Sequence, residues 1–316
     1  MNRIICFLLA CTTICSLCSW GFYAHKEINR LAVATLPGQL APFYKKYLLY
    51  LSIHAVDPDR RRYANEYEAP RHYIDIDAYE GHSLDSLPKF WHDAVLKYTE
   101  DTLYKRGIVP WQIDRTYRLL TDAFAERALL KILRYSADLG HYVADAHVPL
   151  HTTQNYNGQL TNQLGIHAFW ESRLPELFAK EYDFMVGPAR YIPDPLAEAW
   201  KTVKESFSLV DSVLTLESAL NDQHPPYKKY AYESRLRTFD RVYARSYASA
   251  YHQLLNGMVE KQMRKSILMT GSLWYSAWVD AGQPPLDRLM KAAPTIELKT
   301  DSIPDKEKAL GREEWH

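Results

Sequence analysis

Hydrophobic residues recur at helical spacing along almost the whole of this 316-residue chain. Residues three, four and seven positions apart share one face of an α-helix, and prolines or glycines end most of the periodic segments. Strand-like alternation is confined to a short stretch at 73–76. The pattern predicts an all-α fold, a single domain of many helices. Its longer predicted helices cover 88–106, 110–124, 126–147, 164–178, 194–216, 231–264 and 265–281.

The charge balance limits what the protein could bind through its surface as a whole. Lys and Arg number 38, as do Asp and Glu, so no global basic field would attract nucleic acid or anionic membranes. With 47% hydrophobic residues the chain can build one large core. We expect the domain to span 20–282. Residues 283–316 are polar without lasting periodicity and are predicted to form a loosely ordered tail.

The first nineteen residues have the features of a secretory signal. An apolar run over 4–17 follows Arg3 and is too short to span a membrane. All four cysteines lie at positions 6, 11, 15 and 18, so cleavage after Ser19 would leave a cysteine-free mature chain beginning at Trp20. The sequence therefore predicts a secreted or periplasmic protein. A lipid-anchored form is the less favoured alternative, because neither Cys15 nor Cys18 follows a well-formed lipobox.

Histidines and carboxylates in four parts of the chain could bind metal. Residues at i and i+4 leave one helix face about a turn apart and can meet a single ion, and paired helices build metal sites in this way. No cysteine occurs among these residues, which excludes sulfur-based structural zinc sites. A single such pair is more often a surface interaction, but the joint occurrence favours a metal cluster. The candidates are Trp20 with His25, Asp57 and His72, His141 with Asp145 and His151, and His167 with Glu171.

In order and spacing, the residues from Trp20 to about Glu176 resemble the superfamily of zinc-dependent phospholipases C and single-strand-specific nucleases. The resemblance implies an all-helical fold and three zinc ions per chain. It implies that Asp145 bridges the first and third ions. The implied ligands are Asp57, His72, His141 and Asp145 for the first ion, His151, His167 and Glu171 for the second, and Trp20, through its free amine and carbonyl, with His25 and Asp145 for the third.

A cluster of this kind would hydrolyse phosphodiesters. Two zinc ions that share a carboxylate at about 3.5 to 4 Å can hold a hydroxide between them, because zinc lowers the pKa of bound water to about 7. The hydroxide would attack phosphorus in line, and no covalent protein intermediate is needed. Asp57 and Asp145 are the expected catalytic carboxylates. Asp57 could be a ligand, a proton acceptor or both, and the sequence does not separate these roles.

The choice of phosphodiester depends on which branch of the superfamily the chain resembles more. The sixteen-residue step from His151 to His167, and Glu171 in place of aspartate, are more similar to the phospholipases. The positions that would form a choline cage there are poorly suited to a quaternary ammonium group, which prefers aromatic faces. Those positions carry Tyr23, Pro58 and Ala69.

Other residues resemble the nucleases. The spacing Asp57-x2-Arg60 is similar to a nuclease pattern whose arginine supports the phosphate. The sequence 72–75 resembles a motif of both branches. In nucleases the equivalent of Tyr73 stacks on the base and that of Asp75 reads the base edge. Arg60, Tyr73 and Asp75 are therefore the candidate substrate-binding residues.

Three functions remain open. The leading hypothesis is an exported zinc-dependent phosphodiester hydrolase of the phospholipase C type, and the alternative is a single-strand-specific nuclease with the same zinc site. The third is a non-catalytic zinc-stabilised binding protein. It is disfavoured because structural zinc sites are normally closed by four protein ligands, whereas the second and third sets leave positions open. The substrate would be phospholipid or single-stranded nucleic acid, with no stable protein partner implied and no transmembrane segment in the mature chain.

Overall fold

The computed structural model describes residues 22–79, 87–235 and 238–292, and the regular elements of these residues are helices and one two-stranded hairpin. The predicted all-α fold class is confirmed. A π-helical turn, Phe169–Arg173, joins α9 to α10. The helices are α1 (Phe22–Ala32), α2 (Ala41–Lys46), α3 (Leu48–His54), α4 (Asp57–Arg61), α5 (Trp91–Tyr98), α6 (Glu100–Arg106), α7 (Val109–Ala125), α8 (Leu129–Ala146), α9 (Ile166–Ala168), α10 (Leu174–Phe178), α11 (Pro195–Phe207), α12 (Val210–Gln223), α13 (Arg245–Leu254), α14 (Met258–Asp280) and α15 (Asp287–Ala292).

Helix α1 lies directly against α8 and α14 because two glycines leave room for it. A Cβ atom on Gly140 of α8 would lie 1.8 Å from Oδ1 of Asn29, and one on Gly271 of α14 would lie 3.0 Å from the Ala32 carbonyl oxygen of α1 and 2.0 Å from Oγ1 of Thr35 just after it. The buried Asn29 amide in turn donates hydrogen bonds to two backbone carbonyls, at 3.3 Å on α3 and 3.1 Å on α8. These contacts fix the position of α1 relative to the C-terminal half of α8.

The buried side chains form two apolar clusters, and α8 contributes to both. The first cluster surrounds α7, α8 and α14, where Tyr44 stacks on the fully buried Trp274 at 4.7 Å between ring centroids. The second lies among α1, α10 and α13, where Phe169 stacks on Tyr243 at 3.7 Å. Ala144 of α8 packs in the second cluster, so the end of this helix lies where the two clusters meet.

The helix predicted over 231–264 is wrong in its first part. Strands β1 (Tyr230–Arg235) and β2 (Thr238–Tyr243) form an antiparallel hairpin there, before α13 begins. Alternating aromatic and small or polar residues, as at Tyr230 and Tyr232, have the period of two that favours a strand.

Three other expectations concern segments away from this hairpin. Residues 73–75 form no strand, and a 3₁₀ turn follows at Ile76–Ala78. Helix α15 lies within the segment predicted as a loose tail, and its Met290 carbonyl accepts a hydrogen bond from Lys46. The predicted signal 1–19 lies outside the described residues. Among the residues that are described, no helix has the length and apolar character of a membrane span.

Candidate metal centre

Asp145 is the carboxylate on which three imidazoles converge. Its Oδ2 atom lies 2.9 Å from Nδ1 of His72 and 3.2 Å from Nε2 of His141, which is one turn earlier on α8. Its Oδ1 atom lies 3.5 Å from Nε2 of His25 on α1. All four side chains are buried. The predicted i, i+4 pair on α8 therefore faces the interior and meets histidines from two other segments.

Glu171 gathers a second set of imidazoles. Its Oε2 atom lies 3.2 Å from Nε2 of His151 and 3.0 Å from Nε2 of His167, and its Oε1 atom lies 3.1 Å from Nε2 of His25. Glu171 belongs to the π-helical turn Phe169–Arg173. Such turns are rare and occur often at functional sites. Since His25 also approaches Asp145, it connects the two carboxylates.

Backbone hydrogen bonds fix the orientation of two of these imidazoles. His141 donates from Nδ1 to the Ala55 carbonyl at 2.8 Å, and His151 donates from Nδ1 to the His72 carbonyl at 2.7 Å. A neutral ring that donates from Nδ1 presents the lone pair of Nε2, and both Nε2 atoms face carboxylate oxygens. Two acceptors at 3.2 Å repel each other unless a cation or proton lies between them. This arrangement fits the ligands of a zinc ion, whose histidines usually donate their other ring nitrogen.

The potential ligand atoms form three groups, each with all its atoms within 4.8 Å of one another. Imidazole nitrogen and carboxylate oxygen without sulfur suit zinc in a catalytic site. Every member is buried, so solvent does not compete strongly for these atoms. The groups are His25, His141 and Asp145; Asp59, His72 and His141; and His151, His167 and Glu171.

The structure departs from the sequence prediction at Asp57. Its carboxylate lies 2.5 Å from Nδ1 of His54 and 3.6 Å from Arg60, outside all three groups. Asp59 lies nearer to the cluster, with Oδ1 at 3.7 Å from Nδ1 of His72 and 3.6 Å from Nε2 of His141. Residues two apart on a helix point in nearly opposite directions, so only one of these aspartates can face the cluster. Asp59 was not among the predicted ligands, because residue spacing alone does not show how the short α4 is rotated relative to the cluster.

The other predicted site residues are placed less favourably or lie outside the described chain. The Tyr73 ring is 5% exposed and packs against Gly107, so neither ring face is open to a base. Asp75 is buried on the same extended segment. The Arg60 guanidinium lies 5.6 Å from the Phe22 ring, and its buried Nε and Nη1 atoms have no hydrogen-bond partner. Trp20 lies outside the described residues.

A buried polar layer lies behind His72. Arg61 donates to both oxygens of Asp138, at 3.2 and 3.0 Å. Glu68 accepts from Tyr142 and from Arg71, and its Oε1 atom lies 4.0 Å from Nε2 of His72. The basic run at 60–62 therefore contributes to the interior. Its signal in the sequence was weak, because such runs usually form solvated turns.

The electrostatics of the cluster favour ionised carboxylates. Burial raises the pKa of Asp145, but the neighbouring His141 and His151 hold it well below its usual range. Burial likewise raises the pKa of Glu171, which His151, His167 and His25 hold well below its usual range. Burial lowers the pKa of His141, but Asp145 and Asp59 outweigh it and raise this pKa to about 9. Without metal, the positive charge in the cluster would come from protonated histidine.

We expect zinc to stabilise the protein more as the pH rises. The folded-state pKa of His141 is raised from 6.5 to about 9, so its protonation stabilises the metal-free fold fully below pH 6.5. That stabilisation is lost as the pH rises through about 9. Zinc binds only the neutral ring of His141, so zinc binding becomes more favourable as the pH rises from 6.5 to about 9. Melting temperatures with zinc and with chelator, measured across this range, should diverge as the pH increases. A constant difference would contradict the assignment of His141 as a ligand.

Comparison with known proteins agrees with this geometry. A family model described as zinc dependent phospholipase C matches residues 24–234, about two thirds of the chain. The matched range contains all the residues of the three potential metal-binding groups. A search of curated proteins finds no match to the chain.

Proposed function

This chain belongs to the zinc-dependent phospholipase C family, and from this premise we propose that it is an exported enzyme that hydrolyses phospholipids to diacylglycerol and a phosphorylated head group. The proposal includes three zinc ions per chain and removal of residues 1–19. Export rests on the apolar run and the clustered cysteines of the signal-like segment.

The observation that carries the proposal is the convergence of five buried imidazoles on two buried carboxylates. His25 lies 3.5 Å from Asp145 and 3.1 Å from Glu171, so the two halves of the cluster are contiguous. A structural zinc site would be closed by four protein ligands. The set around Glu171 offers three groups near one another, His151, His167 and Glu171 itself, which leaves room for water or substrate.

The residues of the chain would perform three tasks in such a reaction. Asp145 and Glu171 would hold the metal ions as ionised carboxylates, consistent with their lowered pKa values. The backbone carbonyls of Ala55 and His72 would keep His141 and His151 in the tautomer that presents Nε2. Burial of the cluster would strengthen its electrostatic interaction with the developing negative charge on phosphate. Bound zinc would supply Lewis acidity and lower the pKa of water.

The proposal is tested by product analysis with zinc-loaded mature protein. Diacylglycerol and phosphorylated head group should form from phospholipid, and chelation should stop the reaction until zinc is restored. Replacing His167 with alanine should reduce turnover by about 10²-fold or more, because it removes one of three nearby ligand atoms. A matched control is His92→Ala on α5, a histidine outside the three groups. Zinc-replete protein that releases no product from any phospholipid would refute the proposal.

The variant Arg60→Ala distinguishes the phospholipase proposal from the nuclease alternative. The Arg60 side chain is largely buried, and its Nη1 atom lies 3.6 Å from Asp57, but its Nε and Nη1 atoms make no hydrogen bond, so the guanidinium can still donate to a phosphate group. In a nuclease, Arg60→Ala should sharply reduce cleavage of single-stranded DNA or RNA. In a phospholipase C, the same change should affect turnover less. Both activities are to be measured on the wild-type protein and on this variant. Nucleotide release without any diacylglycerol would replace the phospholipase proposal by the nuclease.

A further inference from the structure

The hairpin formed by β1 and β2 presents exposed aromatic side chains on one face. Tyr232 is 73% exposed and Phe239 is 77% exposed. Tyr232 pairs with Arg241, and Phe239 is two residues from Arg241 on the same strand, so the two aromatics share a face. The base of that face is buried through Tyr243. Along its length, this face of the hairpin therefore passes from the buried Tyr243 to the exposed Tyr232 and Phe239, and it carries aromatic side chains at both ends.

The base of the hairpin is attached to the segment that carries the metal-binding residues. Arg173 lies two residues after Glu171 and donates from Nε to the Tyr243 carbonyl at 3.2 Å. Its Nη1 atom donates to Glu233 of β1 at 3.1 Å. The Phe169 ring, in the same π-helical turn, stacks on Tyr243. A contact made by the hairpin would therefore position its partner relative to the metal centre.

A second exposed apolar segment lies on the loop that joins His151 to His167. Leu160 and Leu164 of this loop are 67% and 66% exposed. The buried Glu217 of α12 ties the loop to the hairpin, because it accepts a hydrogen bond from Gln163 at 2.6 Å and pairs with Lys229 at 2.9 Å. The loop and the start of the hairpin are thus held by one side chain.

The hairpin region is also basic. Residues 226–245 contain six Lys or Arg and two Asp or Glu, in a chain whose overall charge is balanced. Lys228 and Arg241 are exposed, whereas the acidic Glu233 pairs with Arg173. Exposed aromatic and aliphatic side chains flanked by basic residues are the combination that binds lipid surfaces containing anionic head groups.

We propose that Tyr227, Tyr232, Phe239, Leu160 and Leu164 form a docking surface that binds the anionic phospholipid surface from which the enzyme takes its substrate. This proposal rests on the proposed phospholipase function. It adds the surface through which the enzyme would contact the lipid. Tyr227, 79% exposed, immediately precedes Lys228 and so belongs to the same basic segment.

A basic aromatic surface could also bind single-stranded nucleic acid, since bases stack on aromatic rings. The aliphatic members favour lipid. Leu160 and Leu164 offer no aromatic face for a base, but both would gain from transfer into acyl chains. The docking surface is therefore assigned to a lipid partner, and nucleic-acid binding is an outcome that the experiment can reveal.

The test uses zinc-loaded mature protein and vesicles of phosphonate analogues of phosphatidylcholine and phosphatidylserine, in which the scissile P–O bond is replaced by P–C. The double variant Tyr232→Ser, Phe239→Ser should bind at least about tenfold more weakly, because burying each aromatic side chain in lipid is worth roughly that factor. Binding should weaken with added salt and with vesicles lacking phosphatidylserine. Phe90→Ser is the matched control, since Phe90 is 57% exposed and lies beside Trp91 of the first apolar cluster.

Hydrolysis separates failure of the docking surface from failure of the enzyme proposal. With vesicles of the corresponding hydrolysable phospholipids, the ratio of vesicle turnover to turnover of soluble short-chain phospholipid should fall about tenfold in the double variant and stay constant in Phe90→Ser. An unchanged ratio and unchanged vesicle binding would overturn the docking surface while leaving the phospholipase intact. Vesicle binding that depends on the hairpin, without hydrolysis of either substrate, would refute the enzyme proposal alone. Loss of binding to a single-stranded oligonucleotide rather than to vesicles would reassign the surface to nucleic acid.

Discussion

Replacing Asp145 with asparagine is expected to remove more than one zinc ion per chain and to lower turnover by about 10²- to 10³-fold or more. The side chains of His72, His141 and His25 lie 2.9, 3.2 and 3.5 Å from its two oxygens. Asparagine keeps the shape but offers one oxygen and no charge, so each ion that shares this carboxylate loses a ligand. Zinc content by elemental analysis and turnover of soluble phospholipid measure the two effects.

The control for this variant is Asp211→Asn on α12, an exposed carboxylate. It should retain zinc and activity, because it removes the same charge far from any potential ligand group. Far-ultraviolet circular dichroism should show that Asp145→Asn keeps its helices. A folded Asp145→Asn protein with full zinc content and normal turnover would exclude Asp145 as a bridging ligand.

A protein that begins at Trp20 is expected to be at least about 10²-fold more active than one with a single extra residue before it. The free α-amine has a pKa of about 7.7 to 8.0 and can give a lone pair to zinc, whereas the amide nitrogen of a longer chain cannot. His25, five positions later, already lies 3.5 Å from Asp145. The extended form should also contain one zinc fewer. The prediction links signal removal to activity, so that the precursor would be inactive.

The comparison requires two proteins that differ only at the start of the chain. As the control, the same extra residue is appended after His316, where it should change neither zinc content nor turnover. Equal activity and equal zinc in the two N-terminal forms would show that Trp20 is not a ligand.

Helical periodicity was sufficient to predict the fold class and the pairs His141 with Asp145 and His167 with Glu171. Both pairs depend on local spacing, which a helix converts directly into a shared face. The contact between His25 and Glu171 joins residues 146 positions apart and has no local signal. Its geometry follows from the packing of α1 on α8 and α14, which depends on Gly140 and Gly271.

The position of Asp59 and the hairpin were not predicted, for physical reasons that local sequence patterns do not display. Asp57 and Asp59 are equivalent by residue type, and the rotation of α4 turns Asp59 toward His72 and His141 while Asp57 pairs with His54. The hairpin was read as a helix because its aromatic residues continue a pattern that also suits α13. The strand is stabilised by contacts distant in sequence, in which Arg173 and Phe169 hold β2 against the π-helical turn.

The 146-residue separation of His25 and Glu171 also bears on the order of folding. Closing so long a segment is entropically costly, and contacts distant in sequence form late in folding. The complete metal site, which needs both His25 and Glu171, therefore forms late in folding. The helices must assemble first, with α1 docked and the two carboxylates already surrounded by imidazoles, before a complete set of ligands exists. A chain that crosses a membrane unfolded would then acquire its metal only after it has folded on the far side.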